Sequence, residues 1–249
     1  MNTASAGGQV GTSIDTAFDF RSDTPPGKRR DPDKDSPTLR RYHKALWSKP
    51  LPGGQLFNLS DEVRDHYLHH RSELGEFSLT SDSAMQTFTR LGFAAEHPEL
   101  CSQAMNEEFF SLAYTIGAMI VFPGEKRDRK RTINQARGCL RNIADRMDLT
   151  LECIRRHYAG DGSPLAGTLA RYGDFFALFE NFDGYVNFFL LQDLLAQGES
   201  SVAFFMPFDD FRTPAAPKDF GTYSAFRQRS MDFIHARNTR IAKYADTLT

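Results

Sequence analysis

The chain has 249 residues, 40% of them hydrophobic, and a formal net charge of −2. A chain of this length buries roughly 70–75% of its unfolded surface, so it needs no disulfide or metal to hold together. The near-neutral charge excludes a nucleic-acid reading based on bulk basicity. The three cysteines, Cys101, Cys139 and Cys153, have no C-x-x-C spacing, which argues against a disulfide framework and a sulfur-rich zinc site.

Residues 1–13 are Gly, Ala, Ser and Thr with little apolar mass and read as a disordered arm. They carry neither the basic nor the apolar region of a signal peptide. Residues 14–249 read as one globular domain. Ala17–Phe20 suggests a short strand, and residues 22–37, crowded with Pro, Asp, Lys and Arg, an irregular loop. Leu39, Tyr42, His43, Leu46 and Trp47 lie at helical spacing and predict a helix over 38–49. Tyr67–Thr80 predicts a hairpin with Gly75 in its connection. Ser83 and Gln86 match a capping box, and Pro98 a first helical turn leading to about Phe110.

Tyr114–Phe122 is a continuous β-branched and aromatic run ended by Pro123-Gly124, the pattern of a buried strand. Beyond it the chain reads as mainly helical. Thr132 offers a cap, Asp148 another ahead of Leu151, Ile154 and Tyr158, and Ser163-Pro164 a third. Residues 175–195 supply Phe- and Leu-rich core helices. Glu180, Asp183, Asn187, Gln192 and Asp193 interrupt them too often for a membrane span. Ser201–Met206 suggests a last strand. Tyr223–Tyr244 suggests a long helix with a stripe of Phe226, Phe233, Ile234, Ile241 and Tyr244. The expected fold is therefore α+β and predominantly helical, a small, mostly antiparallel sheet packed against a helical core. Trp47, Leu151, Ile154, Phe176, Phe179, Phe188, Phe189, Leu191 and Phe233 are the expected core.

Several motifs fail on inspection. Asp31, Asp33 and Asp35 start like a calcium loop, but Ser36 and Tyr42 stand where glycine and glutamate are needed. Arg64 with His69, and Arg229 with His235, show an Arg-to-His spacing found in some RNA-cleaving toxins, which chance matches readily. Nucleotide-loop, serine-hydrolase and zinc-protease motifs are absent from the sequence. Neither a metal nor a cofactor is expected.

Residues 126–158 hold ten Lys or Arg against four Asp or Glu, a segment charge of +6 that leaves −8 on the rest. Within it, Asn134, Arg137, Arg141 and Arg155 are candidate anion-binding residues, because guanidinium forks and helix N-terminal amides near Gly138 suit phosphate or carboxylate oxygens. The competing readings are a solvated surface, or an Arg137 paired internally with Asp145 or Asp148. His69 and His70 are candidate acid–base residues, although strand alternation points them to opposite faces.

The segments FDFRSDTP, SPTLRRYHKALWSKPLP, YLHHRSELGEFSLTSDS, TINQARG, DLTLECIRRHY and ARYGDFFALF…FDGYVNFFLLQDLL, in this order from Phe18 to Ala242, resemble a widespread bacterial family, a domain of unknown function. The resemblance implies a bacterial cytoplasmic protein that is one compact unit, and carries no residue roles. The expected function is a binding or regulatory protein that recognises an anionic ligand, either a phosphate-bearing small molecule or RNA. The alternative is a metal-independent enzyme cleaving a nucleotide or RNA phosphodiester through His69 or His70 and the arginine cluster.

Overall fold

The computed structural model describes residues 13–27, 31–60, 68–88, 103–196 and 200–248. The arm, apart from Ser13, and the helix start at Pro98 lie outside the described residues.

The stretch 22–37, expected to be an irregular loop, contains the single helical turn α1 (Pro32–Asp35), and Ser36 separates it from α2 (Pro37–Trp47). Its Oγ accepts the amide of Leu39 at 3.1 Å, and Pro37 takes the first helical position, where no amide bond is lost. The predicted stripe from Leu39 to Trp47 is buried throughout. The chain then folds back as β1 (Lys49–Pro50) and β2 (Leu56–Phe57), an antiparallel pair turning through Gly54 at φ +84°.

A four-stranded antiparallel sheet follows, in the order β3 (Leu59–Ser60), β4 (Leu68–Ser72), β5 (Gly75–Ser83), β6 (Met119–Pro123). β4 and β5 are the predicted hairpin, and Gly75 adopts φ +138° where it closes. Phe77, Leu79 and Ser81 are buried while Glu76, Ser78 and Thr80 are not, the alternation of a half-buried strand. β6 is buried at every position, as its unbroken apolar run requires. It is shorter than expected, because residues 114–118 form the turns that lead from α3 (Gln103–Ala113) into it.

Three expected elements differ. Ala17–Phe20 is a turn, held by the Phe20 amide on the Tyr114 carbonyl at 3.1 Å and by Phe20 packing on Tyr42. Ser83 and Gln86 start no helix. Ser83 Oγ accepts the Met85 amide at 3.2 Å and Gln86 Oε1 the Phe88 amide at 2.9 Å, so the same side-chain chemistry holds an irregular turn. Residues 201–206 make one isolated bridge, Leu195 to Val202, in place of a strand.

The C-terminal half is helical: α4 (Ile133–Cys139), α5 (Met147–Ala159), α6 (Ala166–Leu169), α7 (Gly173–Ala177), α8 (Phe182–Phe188) and α9 (Phe220–Ala245). Thr132 caps α4 in a full capping box with Gln135. The turn at Ser163-Pro164 precedes α6 by two residues, since Ser163 offers its carbonyl to the Ala166 amide. The apolar stretch 173–195 breaks into short pieces that bury their aromatic residues and every Leu but Leu195, while Asp174, Ala177, Asp183 and Asn187 stay exposed. Glu180 turns the chain at φ +64° and Asn181 then caps α8. Gly184 is required there, because a β-carbon would lie 2.0 Å from the Phe179 carbonyl oxygen.

All nine expected core residues are buried. Phe179, Phe188 and Phe189 pack with ring centroids about 5 Å apart, and Trp47 meets Phe189 edge-on at 5.5 Å. Arg237 of α9 is fully buried among them. It donates to the carbonyls of Leu190 (3.1 Å), Gly117 and Met119 (both 2.9 Å) and Phe189 (3.0 Å). It thereby ties α9 to the entry of β6 and the exit of α8, and burial pushes its pKa down to about 9. No helix among the described residues is long and apolar enough to cross a membrane.

Candidate ligand pocket

The basic segment divides: Lys126, Arg129, Lys130, Arg131 and Arg141 are exposed, while Arg137 and Arg146 are buried. Arg137 has no exposed surface. Its Nε donates to Thr150 Oγ1 (3.1 Å), Nη1 to Asp82 (3.0 Å) and Nη2 to the Asp145 carbonyl (2.6 Å), with Nη1 also 3.1 Å from the Asp145 carboxylate. That carboxylate packs 3.6 Å from where a β-carbon of Gly138 would stand. The anion held at the Gly138 turn is therefore Asp145, the internal partner the sequence offered as an alternative. Asn134 reaches the same strand, its Nδ2 3.5 Å from the Ser81 carbonyl.

The other two candidates point elsewhere. Arg155 forms a two-pronged pair with Glu152, both contacts at 2.8 Å. The Arg141 side chain is exposed, as are Lys126, Arg129, Lys130 and Arg131. Strand alternation separates the two histidines as expected. His69 faces outward and meets Glu76 at 2.9 Å. His70 is buried, stacked on Phe57 at 4.2 Å, and bonded to the Asn58 carbonyl and Ser72 Oγ. Burial holds its pKa below the ordinary histidine value. An acid–base role beside the arginines requires one shared cleft, and neither ring lines the pocket described next.

The arginines of the segment instead build a loop. The N-cap of α5 is Arg146, not Asp148 as expected; Asp148 sits inside the buried first turn, where it pairs with Arg146 (Nε to Oδ1 3.1 Å) and accepts the Phe205 amide at 2.8 Å. Arg146 Nη1 donates to the Ala215 carbonyl at 3.2 Å. Asn142 holds the Phe211 carbonyl at 2.6 Å, and the Arg141 carbonyl accepts the Ala215 amide at 2.9 Å. From the far end of α5, Arg156 pairs with Asp210 and lies over the Phe211 ring at 5.0 Å. These clamps hold residues 206–219 in an arch, with Asp210 and Phe211 both in the left-handed region at φ +61° and +58°.

Beneath the arch is a cavity of about 290 Å³. Leu149, Met206, Phe208 and Phe211 give it apolar walls, and its polar lining includes Arg146 at the N-cap of α5 and Lys218 and Thr222 at the start of α9. Lys218 is exposed and has no ion-pair partner among the described residues. Two carboxylates, Asp209 and Asp219, also line it and are oriented by backbone amides. Asp209 accepts the Arg212 amide at 3.1 Å, and Asp219, the N-cap of α9, accepts the Thr222 amide at 2.7 Å. A wider groove of about 810 Å³ beside α9 is lined by Asp183 and Asp232 and by cations already engaged, Arg240 with Asp193 and Arg229 with the Phe204 and Phe205 carbonyls. No group of His, Cys, Asp or Glu among the described residues is placed to hold a metal ion.

Fold and pocket define an α+β protein whose arginine-rich segment clamps an arch over a small, mostly apolar cavity. The chain belongs to DUF6994, a family of unknown function whose model matches residues 14–241. No curated protein and no solved structure matches it.

Proposed function

We propose that the protein is a binding or regulatory protein of the bacterial cytoplasm that takes up a small amphipathic anion beneath the 206–219 arch. The observation that carries this reading is the pairing of apolar walls with a cation in the lining, Lys218, that has no ion-pair partner among the described residues. Binding sites of this size commonly combine apolar walls with a few placed polar groups. Arg146, lining the same cavity, adds to this, since its contacts to Asp148 and Ala215 leave donors on Nη1 and Nη2 uncommitted. The ligand is an apolar body carrying one carboxylate or phosphate. The free, exposed Cys139 suits a reducing compartment.

The test is a thermal-shift and calorimetric screen of apolar carboxylates and phosphates, each beside its neutral amide or ester. A true ligand raises the melting temperature by mass action. Leu149→Trp, which fills the cavity, abolishes the shift, and Lys218→Ala weakens the anion while leaving the neutral analogue unchanged. Equal shifts for anion and neutral analogue, or shifts that survive Leu149→Trp, defeat the proposal.

A further inference from the structure

Lys49 is the first residue of β1, directly after the Ser48 C-cap of α2. Its position gives it surroundings that differ from those of an ordinary surface lysine. Nζ lies 4.5 Å from the ring centroid of Tyr244, 4.7 Å from that of Phe188 and 5.0 Å from that of Trp47. Three elements converge here, the end of α2, α8 and the last turn of α9. Beside the amine is an open cleft of about 430 Å³, bordered by Pro50, Pro52, Asn187, Phe188 and Tyr244. No carboxylate lines it, and Lys49 Nζ has no hydrogen-bond or ion-pair partner among the described residues. The cleft shares no lining residue with the pocket under the arch.

We propose that Lys49 is a carbonyl-reactive amine, which condenses with a flat, apolar aldehyde or ketone seated in this cleft against Phe188 and Tyr244. The Nζ lone pair adds to the carbonyl carbon, the carbonyl oxygen takes a proton from water, and the hydroxide so formed takes one proton from the nitrogen, which gives the neutral carbinolamine and regenerates the water. The hydroxyl then leaves as water together with the remaining amine proton, and the carbon–nitrogen double bond forms. One amine and one carbonyl thus give one imine and one water, with no oxidant or reductant. Asn187 lines the cleft and carries an amide donor. Its Oδ1 accepts from Gln192 at 2.8 Å, which orients the amide and leaves Nδ2 to meet the developing alkoxide.

The attacking form is the neutral amine, and the charged groups around it favour that form. Burial, and then the positive charge of Arg237 beneath Trp47, push the Lys49 pKa down to about 7. The ring faces work in the opposite sense by attracting the ammonium. From α2, His43 is held neutral by burial. From α9, burial raises the pKa of Tyr244, so it stays neutral at physiological pH. From the α7–α8 turn, the Glu180 carboxylate lies 3.5 Å from where a Gly53 β-carbon would be, and it forms no ion pair with Lys49. On α8, Asp183 lines the groove on the other side.

The experiment treats the full chain with benzaldehyde and cyanoborohydride between about pH 6 and pH 10. Peptide mass spectrometry then follows the N-benzyl adduct at each lysine. At pH 7.5 the neutral fraction of Lys49 exceeds that of an ordinary lysine several-hundred-fold, and the lower nucleophilicity of a less basic amine takes back much of that ratio. Lys49 should therefore react about tenfold faster than Lys126 or Lys243, with a rate that levels off above about pH 8. Chaotrope-unfolded protein should lose the contrast. Asn187→Leu should slow Lys49 several-fold without moving its pH midpoint, and Lys49→Arg should remove the fast adduct at an unchanged melting temperature. Labelling of Lys49 no faster than Lys126, or a Lys49 rate still climbing tenfold per pH unit above pH 9, overturns the proposal.

Discussion

Arg137 donates from Nη1 to Asp82 at 3.0 Å and so fastens α4 to the end of β5. The guanidinium is wholly enclosed, whereas Asp82 and Asp145 keep some contact with water. Removing the cation leaves two carboxylates facing each other without their counterion. Arg137→Leu is expected to cost about 3 kcal/mol, near the lower end for a broken buried pair because both acids stay partly solvated. Arg137→Lys should recover little, since an ammonium cannot span Thr150, Asp82 and the Asp145 carbonyl with one planar fork. Urea unfolding measures both. An unchanged midpoint together with lost phosphate binding would return Arg137 to the ligand-contacting role.

The sequence brings Asn134, Arg137 and Gly138 together because one short helix does so, and its capping box is local chemistry. Which anion fills the turn was open, because that depends on how the chain folds back to place Asp145. The stripe of α2 and the alternation of β5 were legible for the same reason, a single period within one element. The arch was not. Its shape is set by Asn142 holding Phe211 across 69 residues, a relation with no local signature. Arg237 was equally hidden. In a helix pattern it reads as a surface cation, and only packing shows that backbone carbonyls surround it. Ser83 and Gln86 misled because the same side-chain bonds serve a helix start or an irregular turn.

Gly117 is predicted to be irreplaceable. Its amide donates to Asn238 Oδ1 at 2.7 Å, and an added β-carbon would lie 2.5 Å from that oxygen and 2.8 Å from the Ile234 carbonyl. Gly117→Ala must push α9 away from the turn before β6, with a cost of about 3 kcal/mol from overpacking and the lost bond. Gly162→Ala, where nothing lies within 4 Å, is the control and should leave the unfolding midpoint nearly unchanged.

Acid should weaken the fold before the carboxylates titrate. His43 is buried and accepts the Trp47 indole proton on Nδ1 at 2.9 Å. Burial, and then Arg237, push its pKa down to about 3. The unfolded chain takes up this proton near pH 6.5 and the folded chain refuses it. Stability is therefore fully present above about 6.5 and declines as pH falls toward 3. His70 is shifted in the same direction by burial. His43 alone contributes on the order of 2 kcal/mol of loss between pH 6.5 and 5. Trp47 is the only tryptophan, so its fluorescence reports the transition directly. His43→Gln keeps an acceptor for the indole and should flatten this pH dependence. A wild-type midpoint constant from pH 7 to pH 5 would count against a neutral buried His43.

The arch should loosen without unfolding the domain when its outer clamp is cut. Arg156 reaches Asp210 from the end of α5 while its Nε stays on Glu152 at 2.7 Å, so a single side chain joins the helix to the most strained part of the loop. Asp210 and Phe211 both hold left-handed backbone, a conformation that costs on the order of 1–3 kcal/mol per residue and persists only under restraint. Arg156→Leu removes the ion pair and the guanidinium above Phe208 and Phe211, yet leaves Asn142, Arg146 and Asp148 holding either side of the loop. Glu152 keeps Arg155, so no buried charge is stranded. The melting temperature should fall by only a few degrees, the value of about 1 kcal/mol in a domain of this size. Arg212 and Lys218 are exposed within the arch and are cleavage points for trypsin. Tryptic nicking there should accelerate about tenfold in the variant, with cuts elsewhere unchanged, and any ligand held beneath the arch should dissociate faster. Unchanged nicking at Arg212 and Lys218 would mean that the inner contacts alone hold the arch and that Arg156 only covers its surface.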